Sequence, residues 1–298
     1  MRLTRRHFLT AATALVPARL WAGTRLDLGG GIQLDTLSDG HLELPDSMLL
    51  AGLPEADRPA FRAAHDLGSG PMQSPCNLTL LRDGARVVLF DAGAGPDFQA
   101  TAGRLDQALA ALDLTPEDVT DVIFTHGHPD HLWGVLDGFD DPLFLNARHQ
   151  MGATEHAYWT DPATVDSIDP GRTTFAVGAA RRLETLGDMV DLFDPETEVL
   201  PGITARATYG HTPGHIAFDI ADGPLLVGDA IGNGHIAFEQ PQAISGTDQD
   251  PETGRETRAR LLADLAASGR VMVGFHLPEG GIGRVETAGA AYRFVPEG

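Results

Sequence analysis

Short apolar runs separated by polar turns predict the strands of this chain. Asn77 to Leu81 and Arg86 to Phe90 are two such runs, and Asp83-Gly84 between them is typical of a hairpin turn. Asp121 to Thr125 has the apolar composition of a short buried strand. Further strands are predicted at Pro142 to Leu145, Ile203 to Thr208, His215 to Ile220, Leu225 to Val227 and Val271 to Phe275.

Helical spacing alternates with these strands. Thr115 and Pro116 have the residue types of a helix cap and first helical position. Asp161 to Arg172 is expected to be a polar loop or a partly helical insertion. Helices are predicted over Thr101 to Leu114, Arg148 to Tyr158 and Pro251 to Ser268. The alternation predicts a layered α/β fold, and the uniform composition after Gly31 predicts one domain.

Composition narrows the chemistry that the chain can perform. All 21 basic residues among the 298 are arginines, so mechanisms that need a lysine have no candidate. Cys76 is the only cysteine, which excludes an internal disulfide and a cysteine-rich zinc site. We expect Cys76 to be a small buried apolar residue. Any metal must therefore be held by His, Asp or Glu.

The charge of the chain argues against two classes of partner. A formal net charge of −21 repels phosphate backbones, so nucleic acid is not expected as a partner. No segment beyond the amino terminus is apolar for the roughly 20 residues that cross a bilayer. We therefore expect no stable membrane insertion of the mature chain.

The amino terminus has the pattern of a targeting segment. Residues 1–22 contain four arginines and no acid, an apolar run from Phe8 to Val16, and small residues near Ala22. The segment Thr4 to Leu9 resembles the twin-arginine export signal of bacteria. The resemblance implies delivery by the twin-arginine export machinery to the periplasm, with residues 23–298 as the mature domain. A basic helical cap on a cytoplasmic protein is the alternative.

The densest chemical signal is the segment Thr125 to His131, which reads THGHPDH. Three histidines and one aspartate follow an apolar strand, and Gly127 and Pro129 favour a tight loop that directs them to one place. Imidazole and carboxylate are the ligands that Zn, Fe and Mn accept when thiolate is absent. The segment therefore predicts a metal site.

Three further segments fit the same site because each places His or Asp after a predicted strand. They are Gly210 to His215, Gly228-Asp229 and Phe275-His276. Strand ends are where layered α/β proteins build their sites. The pattern predicts one site assembled from distant parts of the chain.

In these residues the sequence resembles the metallo-β-lactamase superfamily, whose pattern is HxHxDH followed by a His, a bridging Asp and a final His. The resemblance covers about Asn77 to Val295 and implies an α/β (α+β) fold, a four-layer αββα sandwich with two divalent metals at one edge. Zinc is the expected metal, with Fe, Mn and Co as alternatives. The resemblance assigns His126, His128 and His211 to one metal and Asp130, His131 and His276 to the other, with Asp229 bridging both.

Within the superfamily the chain is most similar to the methyl parathion hydrolase group, close to the quorum-quenching lactonases. Asp91 with its glycine turn, Asp229, and the tail from Phe275 to Pro296 carry this similarity. Many β-lactamases have cysteine at the position of Asp229, which argues against an antibiotic-hydrolysing member. Oxygen-reducing diiron relatives usually have Glu at the position of His128, which argues against that branch.

The resemblance implies a hydrolase in which a metal-bridging hydroxide attacks an ester, a lactone or a phosphotriester-like small molecule. Asp130 would hold its metal and accept the proton left on the attacking oxygen. An iron-dependent persulfide dioxygenase-like enzyme, a β-lactamase-type amide hydrolase and a metal-stabilised binding protein remain alternatives. A homodimer is also left open.

Several residues near the motifs are expected to support the site. Trp133 and Trp159 are candidates for the substrate pocket wall, with ordinary packing as the alternative. Asp91 is expected to fix the turn under the metal loop or to hydrogen-bond a ligand histidine. His215 is expected to hydrogen-bond behind the ligands, and His235 is a further histidine near the site.

Overall fold

The computed structural model describes residues 22–220 and 223–297. The predicted export signal lies outside these residues, except for Ala22, which begins the first strand. Within the described chain, no helix combines the length and the apolar composition needed to cross a membrane.

Two seven-stranded sheets form the centre of the fold. In the first sheet the strands follow chain order; β1 to β4 are antiparallel and β4 to β7 are parallel. These strands are β1 (Ala22–Gly29), β2 (Ile32–Leu44), β3 (Met72–Asp83), β4 (Arg86–Phe90), β5 (Asp121–Phe124), β6 (Arg148–Gly152) and β7 (Val190–Phe193).

The second sheet has the order β14-β13-β12-β11-β10-β9-β8, and only the β11–β12 pair is parallel among its described pairs. Its strands are β8 (Glu198–Leu200), β9 (Ile203–Ala207), β10 (Ile216–Ile220), β11 (Leu225–Gly228), β12 (Met272–Gly274), β13 (Ile282–Ala288) and β14 (Ala291–Pro296).

Helices connect the strands, and some of them cover the outer face of each sheet. They are α1 (Asp46–Leu49), α2 (Arg58–Ala64), α3 (Leu105–Ala110), α4 (Pro129–Leu132), α5 (Ala153–Thr160), α6 (Thr164–Ser167), α7 (Thr173–Leu186), α8 (Ile236–Glu239) and α9 (Pro251–Ser268). Short 3₁₀ turns lie at Glu55–Asp57, Pro116–Asp118, Trp133–Val135, Pro170–Arg172 and Gly187–Met189.

Three apolar cores separate four layers. Leu34, Phe90 and Phe218 belong to the core between the two sheets. Buried residues of α3 and α7 pack on the first sheet, and those of α8 and α9 pack on the second. The predicted four-layer αββα sandwich is therefore confirmed.

Local signals located several elements correctly. The Asp83-Gly84 turn joins β3 to β4, and Gly84 has the positive φ of 59° that such a turn requires. The predicted helix Pro251 to Ser268 is confirmed at both ends. Asp250 caps it by accepting from the Thr253 N–H, and Gly269 ends it in the left-handed conformation.

Three predictions of local structure were wrong. Arg148 to Tyr158 is not one helix: β6 occupies its first half because it pairs with β5 and β7, and only then does α5 begin. Pro142 to Leu145 contains a single bridge, from Pro142 to Leu136, since proline has no N–H for a ladder. The helix predicted from Thr101 is limited to α3, and Gly103 with φ 77° precedes it.

Candidate metal centre

The predicted ligand residues meet at one edge of the sandwich, in loops that follow four strands. The THGHPDH segment follows β5, and His211 lies in the loop between β9 and β10. Asp229 and His276 follow the parallel strands β11 and β12, whose carboxyl ends lie at the same edge. Folding thus brings together all seven side chains that the sequence analysis named as ligands.

Three histidine nitrogens form the first donor group. His126 Nε2 lies 3.0 Å from His128 Nδ1, which lies 2.9 Å from His211 Nε2. All three side chains are buried. Zinc–nitrogen bonds of about 2.0–2.1 Å place neighbouring ligand atoms roughly 3.3 Å apart around a tetrahedral ion, so this group needs only a slight opening to hold one.

Asp130, His131 and His276 form the second donor group around one carboxylate oxygen. Asp130 Oδ2 lies 3.2 Å from His276 Nε2 and 3.5 Å from His131 Nε2. A His–His–carboxylate set of this kind suits zinc, iron or manganese.

Asp229 lies between the two groups. Its Oδ2 atom is 3.1 Å from His276 Nε2 in the second group and 3.4 Å from His211 Nε2 in the first. Its Oδ1 atom is 3.3 Å from His131 Nε2. One carboxylate therefore contacts ligands of both groups.

Unsatisfied polar atoms show that this centre suits a cation. Asp130 Oδ2, His131 Nε2 and Asp229 Oδ1 are buried and have polar neighbours at 3.2–3.5 Å, but none of the three makes a hydrogen bond of normal geometry with a described residue. Buried polar atoms almost always have a hydrogen-bond partner or an ion, so three such atoms without a hydrogen bond at one place indicate a binding site for an ion. The residues present fit a divalent metal, because imidazole and carboxylate groups bind such ions.

Each of the five candidate ligand histidines has a polar contact at the ring nitrogen that faces away from the centre. Such contacts fix the tautomer and orientation of a ligand histidine. The pairs are His126 Nδ1 with Thr125 Oγ1 (3.0 Å), His131 Nδ1 with Asp91 Oδ2 (2.8 Å), His211 Nδ1 with Asp248 Oδ1 (3.2 Å), His276 Nδ1 with the Pro75 carbonyl (2.7 Å) and His128 Nε2 with the Gln249 side-chain amide (3.2 Å).

The electrostatics differ between the two groups. Burial, together with the neighbouring histidines, holds the pKa of His126 and His128 well below the ordinary value, so both imidazoles are neutral, which is the form that binds a metal. Burial also opposes charge on His131 and His276, but the facing carboxylates, Asp229 foremost, outweigh it and raise the pKa of both. Protons on these two rings occupy the place that a bound cation would take.

Asp91 and His215 lie behind the candidate ligands. Asp91 accepts from the Thr125 N–H at 2.7 Å and from His131. His215 Nε2 accepts from the Asp229 N–H at 3.0 Å, and its Nδ1 contacts the Thr208 hydroxyl at 2.7 Å. His235 instead packs its ring against His65, with centroids 5.0 Å apart.

Sequence reasoning missed Glu155, whose side chain is fully buried on α5. Its Oε1 atom accepts from the Gly127 N–H at 2.9 Å and from Trp159 Nε1 at 2.5 Å. Its Oε2 atom accepts from the Thr212 hydroxyl and the Gly214 N–H. Nothing in the local sequence of α5 marks this role.

Asp248 and Gln249 were also missed. Asp248 joins His211 to the buried Arg258, whose Nη1 atom lies 3.1 Å from Asp248 Oδ2. Gln249 contacts both His128 and the Tyr158 hydroxyl. The polar run before Pro251 was the only signal, and a helix cap accounts for such a run equally well.

Trp133 and Trp159 do not lie in the wall of the cavity over the ligands. The Trp133 ring is in the core, where it packs on Gly178 of α7 and under the Arg182 guanidinium, 4.3 Å from the ring centroid. Trp159 is also a core residue and fills the space beside Gly127. The prediction that these two tryptophans line the substrate pocket is therefore wrong, and both pack in the core.

Cys76 is buried, as predicted, but it lies beside the second donor group. Its sulfur is close to the donor atoms of Asp130 and His276. Burial raises the pKa of the Cys76 thiol to about 12, so the group stays protonated at neutral pH.

A family model and a protein of known sequence match most of this chain. A family model described as Metallo-beta-lactamase superfamily matches residues 72–276. An uncharacterized protein of Mycobacterium tuberculosis is 28% identical over 233 residues, which cover 76% of this chain and 94% of the relative.

Two solved structures share the fold. AidC, described as a dizinc quorum-quenching lactonase, superposes with a TM-score of 0.86 at 22% identity over 93% of this chain and 98% of its own. AbOPH, described as a hydrolase in the beta lactamase superfamily, gives a TM-score of 0.85 at the same identity and coverage. The family match spans every ligand position named above, and the chain belongs to the metallo-beta-lactamase superfamily.

Proposed function

We propose that this protein is a dinuclear metal hydrolase that cleaves an ester, a lactone or a phosphotriester-like bond in a small molecule. The observation that carries the proposal is the position of Asp229, whose carboxylate contacts ligands of both donor groups. A carboxylate can share its oxygens between two cations and offset part of their repulsion. A site for one metal would need a carboxylate in contact with only one of the two donor groups.

Structural neighbours support an ester-type substrate. AidC is described as a lactonase in complex with a homoserine product, and AbOPH is described as a hydrolase. Both share the fold over nearly the whole chain. We propose that this protein belongs to the methyl parathion hydrolase and quorum-quenching lactonase group and that its metal is zinc.

The chain's own residues suit this chemistry. Two divalent ions held in the centre would activate water for attack and polarise the oxygen that gains charge. We propose that Asp130 holds its metal and also accepts the proton of the attacking water, and its buried carboxylate beside His131 and His276 supports both roles. Asp91 and Thr125 hold the ligand loop from behind, which keeps the donors fixed during turnover.

Apolar side chains above the centre complete the site. The cavity over the ligands is lined by Leu42, Leu44, Met48, Leu49, Phe98 and Phe175. Such a wall excludes water and favours a substrate with an apolar portion.

Metal analysis combined with activity assays tests the proposal. The purified protein is loaded with zinc or iron, and lactones, aryl esters, phosphotriesters and a β-lactam are offered, while oxygen uptake is followed with a persulfide substrate. Two ions per chain, ester-type hydrolysis and no oxygen uptake are expected. One iron per chain with oxygen uptake would instead identify a dioxygenase, and β-lactam cleavage alone would identify an amide hydrolase.

A further inference from the structure

The cavity above the metal centre has one arginine among its lining residues, Arg172. The residue ends the 3₁₀ turn Pro170–Arg172 and directly precedes α7. Its Nη2 atom donates to the Gly246 carbonyl at 2.6 Å, which aims the guanidinium at a fixed place. The side chain is half-buried.

The guanidinium of Arg172 has no ion-pair partner in the part of the chain that the structure describes. Asp169 and Asp248 are the acids whose charge acts on it, but both carboxylates are engaged elsewhere. Asp169 accepts from the Gly171 N–H, and Asp248 binds His211 and Arg258. Because the Arg172 guanidinium is half-buried and has no ion-pair partner among the described residues, its remaining N–H donors can bind an anion.

Arg172 also marks the boundary between the inner cavity and an outer cleft. Arg172 and Met48 line both spaces, and the outer cleft continues past Tyr158, Ser167 and Ile244. A molecule that reacts at the metal centre and extends into the outer cleft therefore passes the guanidinium.

We propose that Arg172 is a specificity-determining residue that binds a carboxylate on the part of the substrate that is not cleaved. The inference rests on the proposed function and names the substrate class: an ester or lactone whose apolar body fills the inner cavity and whose carboxylate lies a few bonds from the reacting carbonyl. Guanidinium suits this role because its planar donors match a carboxylate in two parallel hydrogen bonds.

Two chromogenic esters of similar length test this assignment with the metal-loaded protein. The 4-nitrophenyl monoester of adipic acid carries a distant carboxylate, whereas 4-nitrophenyl heptanoate is neutral. Arg172→Gln should lower kcat/KM for the adipate monoester about 10- to 100-fold, mainly by raising KM, because a charged hydrogen bond is lost. The same variant should change the heptanoate reaction by less than about twofold.

Two further variants separate recognition from folding. Arg172→Lys keeps the charge and should retain part of the preference for the adipate monoester. Arg104→Gln is the matched control, since Arg104 also donates a hydrogen bond from its side chain to one carbonyl, that of Ala100, but lies away from the cavity. Equal losses on both esters in Arg172→Gln would show that Arg172 only holds the Gly246 loop, and would overturn the proposal.

Calorimetry with 6-oxoheptanoate, which has the carboxylate but no cleavable bond, keeps this inference separate from the proposed function. Weaker binding to Arg172→Gln than to the wild type supports the inference even if neither ester is cleaved, in which case only the proposed function fails. Cleavage of both esters with unchanged binding and kinetics in Arg172→Gln overturns the inference and leaves the proposed function standing.

Discussion

The Glu155 Oε2 atom accepts a hydrogen bond from the Thr212 hydroxyl at 2.7 Å, although the two residues are 57 positions apart in the chain. The other oxygen of the same carboxylate accepts from the Gly127 N–H. Gly127 lies between two ligands of the first loop, and Thr212 follows the ligand His211. One buried carboxylate therefore joins the two loops that supply the first donor group.

We predict that Glu155→Gln loosens this junction. The amide has one oxygen, and its NH₂ group would face two of the four donors, which leaves them unsatisfied. The free energy of unfolding should fall by about 2 kcal/mol or more, and metal should bind roughly 10- to 100-fold more weakly. Denaturant unfolding and metal titration measure both effects. Glu184→Gln, an exposed position on α7, is the control and should change neither.

Asp229→Asn should remove one metal from the centre. The amide keeps the shape of the carboxylate but loses the charge that offsets repulsion between two cations. We expect one ion to bind much more weakly and the rate to fall on the order of a hundredfold. Metal titration of the variant, with the exposed Asp191→Asn as control, counts the ions. Two tightly bound ions in Asp229→Asn would contradict the bridging role.

Arg258→Ala and Arg255→Ala on the same helix should differ sharply in stability. Arg258 pairs with Asp248 where both side chains are buried, so its loss leaves a buried charge and should cost about 3–5 kcal/mol. Arg255 pairs with the exposed Glu252, and its loss should cost at most about 1 kcal/mol. Comparable unfolding midpoints for the two variants would show that the buried Asp248 carboxylate does not need Arg258 to compensate its charge.

His149 should make the protein less stable in mild acid. Its side chain is buried with both ring nitrogens unpaired among the described residues, and burial lowers the pKa of His149 to about 4. The unfolded chain takes up this proton near pH 6.5 and the folded chain only near pH 4, so stability falls as the pH drops between these values. The loss reaches about 3 kcal/mol at most.

His149→Leu removes this titrating group, so the free energy of unfolding of the variant should depend less on pH between about pH 6.5 and pH 4. Urea unfolding of the wild type and the variant at several values from pH 7 to about pH 4 gives the difference between the two curves. Parallel curves would mean that folding does not change the proton affinity of His149.

We propose that residues 1–22 direct export to the periplasm, and the twin arginines give a direct test. Replacing Arg5 and Arg6 together by Lys keeps the charge but removes the guanidinium pair that the export signal contains. The variant should accumulate inside the cell, as measured by fractionation and immunoblotting. An unchanged periplasmic yield would contradict the assignment.

The sequence alone determined the features that local chemistry encodes. The helix α9 could be predicted to the residue because Asp250, Pro251 and Gly269 signal its ends within the chain itself. The ligand segments could be found because strands that end in His or Asp are visible without knowing what they face. Their order along the chain then led to the family and to the four-layer fold.

Tertiary structure decided the rest, because those features depend on partners distant in the chain. Arg148 to Gly152 became a strand since neighbours on both sides supply its hydrogen bonds, although arginine, glutamine and methionine are good helix formers. Trp133 packs in the core because Gly178, which has no side chain, leaves room for its ring. Glu155 and Arg172 acquire their positions only when loops far apart in sequence close around them, since neither local spacing nor residue type specifies which groups a side chain will face.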